Sequence, residues 1–291
     1  MILARDNKHR WLLFGLWLAC SVALTWHSLL ALLHHALGND DSSHILLIPF
    51  ISAWLLFTDH KRIFKHLSHD PAVCAILTIP GIIFLAWSAR TGSLSAYALG
   101  LVFLWIAGFA LIFGREALKN ARFPLLFLIL FIPLPNALLD KVVYLLQKGS
   151  AEIAALLFSM TTVPVLRDGF VFHLPRYSIE VARECSGIRS SIALLVLSLL
   201  IGHFFLRAFW KQAVFLLAGI LVMIIKNGIR IVTLTLLANY VDPGFLFGNL
   251  HRQGGVVFFL IGLLFLVPVF WLLQRSKPHN PATEIKPAPA V

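Results

Sequence analysis

A chain of 291 residues with 59% hydrophobic and only 13% charged residues cannot be an ordinary soluble domain, whose charged share is about 25%. Its 24 Lys and Arg against 13 Asp and Glu leave a formal charge of +11. The cations sit in short clusters between apolar runs, the pattern of cytoplasmic loops in a membrane protein rather than of a nucleic-acid-binding surface. Cys20, Cys74 and Cys185 are odd in number and far apart, so neither a disulfide framework nor a CxxC metal site is indicated.

A bilayer-crossing helix needs about 20 mostly apolar residues. Trp11–Leu33 meets that requirement behind the basic flank Arg5, Lys8, Arg10, and it lacks the cleavage site of a secretory signal, so it is expected to be retained and to enter from the cytoplasm. Ile45–Phe57 follows an acidic outer loop and leads to the inner cluster Lys61, Arg62, Lys65. Pro71–Ala89 crosses outward and Ser95–Phe113 returns to Arg115, Lys119 and Arg122. Phe123–Leu139 is expected to be a fifth crossing, interrupted by Pro133 and Pro135.

The next stretch, Asn136–Thr161, carries Asp140, Lys141, Tyr144, Gln147, Lys148 and Glu152 along one helical face. That spacing fits a helix on the membrane surface, or packed against other elements, better than one crossing lipid. Only Val163–Glu184 reads as strand, with Asp168-Gly169 as a hairpin dipeptide, and open strands cannot face lipid. A small extracytoplasmic cap is therefore expected. Ser186–Phe205, Gln212–Tyr240 and Val256–Leu273 complete an expected total of eight spans with both termini cytoplasmic. The fold class is thus an all-α polytopic membrane protein with an amphipathic helix and a β-like cap. It forms a single transmembrane domain over residues 1–273, of which 136–184 are helix and cap, and a disordered cytoplasmic tail over 274–291.

Three chemically distinct side chains fall at one depth in this topology. The run from Gln212 to Arg230 rises roughly 27 Å, nearly the hydrocarbon thickness, so Arg230 arrives at the outer face. Cys185 begins the sixth span from that face and His251 immediately precedes the eighth. A thiolate can attack a carbonyl, an imidazole can move the proton and a guanidinium can stabilise the oxyanion, which together is acyl-transfer chemistry. Arg189 lies one turn beyond Cys185 and would favour its thiolate, whereas Lys226 and Asn227 share the helical neighbourhood of Arg230. Each residue also has a structural alternative. Cys185 could be a small packing residue, Arg230 a snorkelling anchor and His251 an interfacial side chain, with Arg189 and Lys226 serving headgroups. No set of histidines has metal-ligand spacing, and no metal or cofactor is expected.

At these residues the sequence resembles the exosortase/archaeosortase family. The similarity is carried by Glu-Cys-Ser-Gly-Ile around Cys185, Asn-Gly-Ile-Arg ending at Arg230, His251 before the last span, Asp-Ser-Ser-His ending at His44, and Ile-Pro-Leu-Pro at Ile132–Pro135. It implies a membrane cysteine protease or transpeptidase, with Cys185 as nucleophile, His251 as acid/base and Arg230 as transition-state stabiliser. Ser186, Arg189, Asn227, Lys226 and His44 would support them. Implied partners are membrane lipid and exported proteins ending in a short motif, a hydrophobic helix and a basic tail, with no nucleic acid. The implied location is the outer face of the inner membrane. The sequence departs from many relatives at Ile45, where they carry glycine. A transporter or channel gated by Lys226, Arg230 and Arg189, and a noncatalytic membrane scaffold, are the competing readings.

Overall fold

The computed structural model describes residues 2–183, 188–246 and 255–276. Seven of its helices are long and apolar enough to cross a membrane, or eight when a bent pair counts as one crossing. The chain forms two compact units, Met1–Leu139 and Asp140–Val291.

In the first unit, α1 (Ile2–Leu24) and α2 (Trp26–Gly38) replace the single straight crossing expected over Trp11–Leu33. They meet at Thr25 with an 84° bend. Thr25 Oγ1 donates back to Ser21 O at 2.8 Å and lies 3.0 Å from the buried Tyr97 hydroxyl, the side-chain back-bonding that competes with a helix ladder. A 3₁₀ turn (Asp40–Leu46) leads into α3 (Ile48–Thr58), so the short second crossing is lengthened as expected from its flanking residues. After the turn α4 (His60–Ile63) come α5 (Pro71–Thr91) and α6 (Leu94–Asn120). Gly81 and Gly100 let these two helices touch: a Cβ on Gly100 would lie 2.9 Å from Gly81 O. Small residues give lipid-embedded helices this close approach.

The expected end of the fourth crossing, Phe113, is where α6 breaks. Gly114 has φ 86 and ψ 177, a conformation essentially restricted to glycine. The break releases three successive carbonyls, and each finds a donor. His69 Nδ1 meets Leu111 O at 3.0 Å, Arg10 Nη1 donates to Ile112 O, and Ser68 N donates to Phe113 O at 3.3 Å. Trp11, Phe14, Phe64, Phe109 and Phe113 pack around this point with ring centroids 4.8–6.4 Å apart.

The fifth expected crossing is corrected by the structure. α7 (Arg122–Phe127) and a 3₁₀ turn (Leu128–Phe131) make a short apolar helix, after which Pro133 and Pro135 stop helical bonding. The long helix of this region is α8 (Asn136–Ser159), which by length and composition is itself able to cross. In the second unit its polar stripe is occupied by the strand segment. Arg183 pairs with Asp140, Phe170 packs edge-on against Tyr144 at 5.8 Å, Gln147 Nε2 donates to Val181 O at 2.8 Å, and Arg167 makes a two-pronged bond to Glu152. The 3–4 residue spacing seen in the sequence is therefore the footprint of the cap.

Three short antiparallel strands form that cap: β1 (Leu166–Asp168), β2 (Val171–His173) and β3 (Ser178–Glu180), in the order β1-β2-β3. The hairpin turn is Gly169-Phe170, one residue later than the expected Asp168-Gly169, because Asp168 pairs with Val171. Gly169 supplies the positive φ, 58°, at the first central position, as two-residue hairpin turns require. Phe172 is fully buried against Phe158, Ala151 and Ala154 of α8.

Three antiparallel helices follow: α9 (Ile188–Phe205), α10 (Phe209–Tyr240) and α11 (Gly255–Arg275). The last extends two residues beyond the expected end at Leu273; residues 277–291 of the expected tail lie outside the described residues. One end of this bundle is basic and aromatic. Lys211 Nζ caps α11 at Ser276 O (2.6 Å), and Arg275 lies 3.3 Å over the Trp271 ring, a typical membrane-interface arrangement.

Substituting Gly114 by alanine should be costly, since its Cβ would fall 2.0 Å from Ser68 Oγ at a φ that L residues rarely adopt. The expected loss is about 1–3 kcal/mol. Thermal unfolding of the detergent-solubilised protein should show a lower Tm for Gly114→Ala and an unchanged one for Gly15→Ala, whose Cβ meets nothing within 4 Å.

Candidate functional site

Of the residues singled out in the sequence, Cys185, Ser186 and His251 lie outside the described residues. Lys226 and Asn227 are adjacent on α10 with Arg230 about one turn further on, and Arg189 lies exposed in the first turn of α9. His44 belongs to the first unit, where backbone groups of Asp41 and Leu130 hydrogen-bond its ring.

Helix α10 runs through the second unit with small residues at its closest contacts. A Cβ on Gly219 would lie 2.8 Å from Ser198 Oγ of α9, and one on Gly228 would lie 2.5 Å from the Ile153 side chain of α8. A Cβ on Gly149 of α8 would in turn meet Ile224 at 2.8 Å. Glycines and serines at helical spacing therefore bring α8 and α9 onto two faces of α10, and Gly262 does the same for α11 beside Lys226.

Lys226 is the largest polar side chain in this packing, with 1% of its surface exposed. Its stem lies beside Gly262 of α11, where a Cβ would come within 3.3 Å of Lys226 Cδ, and its Nζ donates to Ser190 Oγ at 2.5 Å. Asn227, also 1% exposed, donates through Nδ2 to Ser150 Oγ of α8 at 2.9 Å. A buried ammonium among apolar helices is retained only when it is hydrogen-bonded or functional. The two hydroxyl partners, Ser150 and Ser190, were not singled out in the sequence. Their only signal was a polar residue at helical spacing on an otherwise apolar face.

These contacts define the depth of Arg230. Lys226 faces Ser190, Gly219 faces Ser198 and Gly202 faces Gln212, an antiparallel register that sets the first residue of α9, Ile188, level with Gly228. Lys226 beside Gly262 and Lys211 beside Ser276 give the matching register for α11, whose first residue then lies about one turn beyond Arg230's level. Arg230, half-buried, thus stands where two helices begin, at the bundle end opposite the basic and aromatic one. The cap is fastened at this same end of α10, where Tyr177 Oη donates to Thr235 O at 2.8 Å and burial pushes its phenol pKa up. On the cap, the bonds that Arg167 donates to Glu152 hold its guanidinium pKa above the ordinary value.

An arginine between helix N-termini can fix a carboxylate or stabilise an oxyanion through two parallel N–H donors, which a lysine cannot reproduce. Among the described residues no three His, Cys, Asp or Glu side chains are grouped as metal ligands.

The packing that sets Arg230's depth is testable by stability. Gly228→Leu should lower Tm, because its Cβ would also come within 3.3 Å of the Ala154 backbone nitrogen; the expected cost is about 1–3 kcal/mol. Lys226→Met keeps the stem and removes the buried charge, and is expected to leave Tm unchanged or raised. A loss in Lys226→Met with Gly228→Leu unaffected would show that the ammonium, and not the close approach, holds these helices together.

No curated protein and no solved structure matches this chain. A family model described as transmembrane exosortase (Exosortase_EpsH) matches residues 26–268. The match runs from α2 into the last helix and takes in the whole of α10 and the cap. The chain therefore belongs to the transmembrane exosortase family.

Proposed function

We propose that this protein is a membrane cysteine peptidase or transpeptidase that removes C-terminal sorting signals from exported proteins. Membership of the transmembrane exosortase family supports a membrane sorting transpeptidase or protease in general. The observation that carries the finer reading is the level of Arg230, within about one turn of which α9 and α11 begin. Three peptide steps separate Cys185 from Ile188 and four separate His251 from Gly255, so their Cα atoms lie within about 11 Å and about 15 Å of those helix starts. Those bounds are compatible with a site that joins the thiol and the imidazole to the guanidinium, which is the reading proposed.

In this mechanism the Cys185 thiolate attacks the scissile carbonyl, and negative charge moves to the oxygen, where Arg230 donates two N–H bonds. Collapse breaks the C–N bond, His251 gives the departing amine its proton, and a thioester remains on Cys185. Water or an amine then attacks the thioester, yields its proton to His251 and releases the thiolate. Ser186 and Arg189 flank the nucleophile in sequence, Lys226 and Asn227 hold the helix carrying Arg230, and His44 is assigned a supporting role from the Asp-Ser-Ser-His segment. The substrate's apolar helix would lie in the bilayer with its basic tail at the cytoplasmic, cation-rich end marked by Arg207, Lys211 and Arg275, presenting its motif at the outer face of the inner membrane.

The test is processing of a reporter made from an exported protein of the same genome that ends in an apolar helix and a basic tail. Cys185→Ala should abolish cleavage while the protein still inserts in the membrane, and His251→Ala should do the same. Arg230→Lys should lower kcat by about 10²–10³, the usual effect of losing an oxyanion donor. Mass spectrometry should find the thioester on Cys185. Undiminished cleavage by Cys185→Ala would remove the thiol from the mechanism, and normal activity of Arg230→Lys would reduce Arg230 to an anchor.

A further inference from the structure

The cap carries a feature that the acyl-transfer mechanism does not use. Among the described residues strand β1 pairs on one side only, and all three of its residues are exposed. In an antiparallel ladder closed by a two-residue turn, the closing pair is hydrogen-bonded and the next pair is not. Asp168↔Val171 is the closing pair, so at Arg167↔Phe172 the Arg167 backbone N–H and C=O point away from β2. The same alternation accounts for Val181 N donating to Phe170 O and Leu174 N to Tyr177 O on the other side of the sheet. The outer edge of β1 thus offers one donor and one acceptor with the spacing of an extended chain.

Beneath that edge lies a half-open cavity of about 300 Å³ between the sheet and the end of α8. Its walls include Ala155 and Phe158 of α8, Thr161 and Val163 of the connecting loop, and Arg167 and Phe172 of the sheet. The volume is at the bottom of the range for small-molecule pockets, about 300–1,000 Å³, and suits one or two side chains. Its one charged wall residue is already neutralised, since both Arg167 Nη atoms donate to Glu152 at 3.0 and 2.9 Å. With Ser159 and Thr161 beside Ala155, Phe158 and Val163, the cavity is suited to a small uncharged side chain.

We infer that β1 is the docking edge for an extended peptide segment of the protein substrate, which adds as a fourth strand and places a small uncharged side chain in the cavity beneath. The inference rests on the peptidase reading above and names where that substrate is held. Two features select this occupant. A lipid acyl chain could fill the cavity but has no groups for the Arg167 N–H and C=O, whereas a peptide in strand geometry satisfies both and presents alternate side chains to the cavity side. The sheet is also joined closely to the proposed nucleophile in sequence, with β3 ending at Glu180 and Cys185 only five residues further on.

Photocrosslinking in native membranes tests this directly. The full-length Cys185→Ala protein is combined with the reporter described above, carrying a benzophenone amino acid at successive positions upstream of its apolar helix. Crosslinks to Ala155, Phe158 or Val163 are expected at every second reporter position. In the otherwise unaltered enzyme, Ala155→Leu, which narrows the cavity, should raise KM about tenfold with kcat unchanged and Tm retained. Crosslinks that avoid the cavity, or recur at helical spacing, overturn the inference while leaving Cys185-dependent cleavage intact. So does labelling of these residues by a photoactivatable phospholipid in place of the reporter, or an Ala155→Leu enzyme with unaltered KM. Cleavage that persists in Cys185→Ala overturns the peptidase reading instead.

Discussion

In a hydrocarbon solvent a backbone carbonyl that leaves its helix must find another donor within the protein, and the architecture of this chain follows from meeting that demand. The break in α6 at Gly114 illustrates it. Three carbonyls released in sequence are taken by His69, Arg10 and Ser68, which reach them from two separate segments of the first unit. Arg10 therefore acts as more than a positive-inside flank: it is part of what makes the break tolerable. The strands meet it only on one side, with their inner face on α8 and their polar groups on the stripe Asp140–Glu152, and leave the exposed outer edge of β1 open.

The second unit uses close approach in the way a soluble core uses large side chains. Lipid tails are as apolar as leucine, so helix association draws on packing and interhelical hydrogen bonds. Gly149, Gly219, Gly228 and Gly262 let neighbouring helices come close enough for Ser150 and Ser190 to accept from Asn227 and Lys226. Those bonds make two costly polar side chains compatible with burial, and they fix the level of Arg230 relative to the starts of α9 and α11. The oxyanion role proposed for Arg230 would need that kind of rigid support, because a donor displaced by an ångström loses much of its effect.

The membrane class and the approximate number of long apolar helices were legible in the sequence because each depends on composition over a window of residues. The bend at Thr25 was not, since nothing apolar changes there; it arises from a hydroxyl bonding back to Ser21 and across to Tyr97. The fifth crossing was misplaced for a related reason. Phe123–Leu139 and Asn136–Ser159 are both apolar enough to qualify, and the decision between a helix and an interrupted segment came from Pro133 and Pro135. The hairpin turn moved by one residue because strand pairing, rather than the Asp-Gly dipeptide, sets which residues are central.

Sequence alone determined the chemistry available: one thiol in a polar context, one guanidinium at the far end of a long helix, one imidazole before the last span, and a polar stripe on a helix beside strand-forming residues. Those are matters of residue identity and periodicity, which are local. Tertiary structure alone decided what occupies the polar stripe, which hydroxyls receive the buried Lys226 and Asn227, and which backbone groups β1 leaves open. Each of these depends on contacts between segments distant in the chain, and no periodicity within one segment encodes its partner.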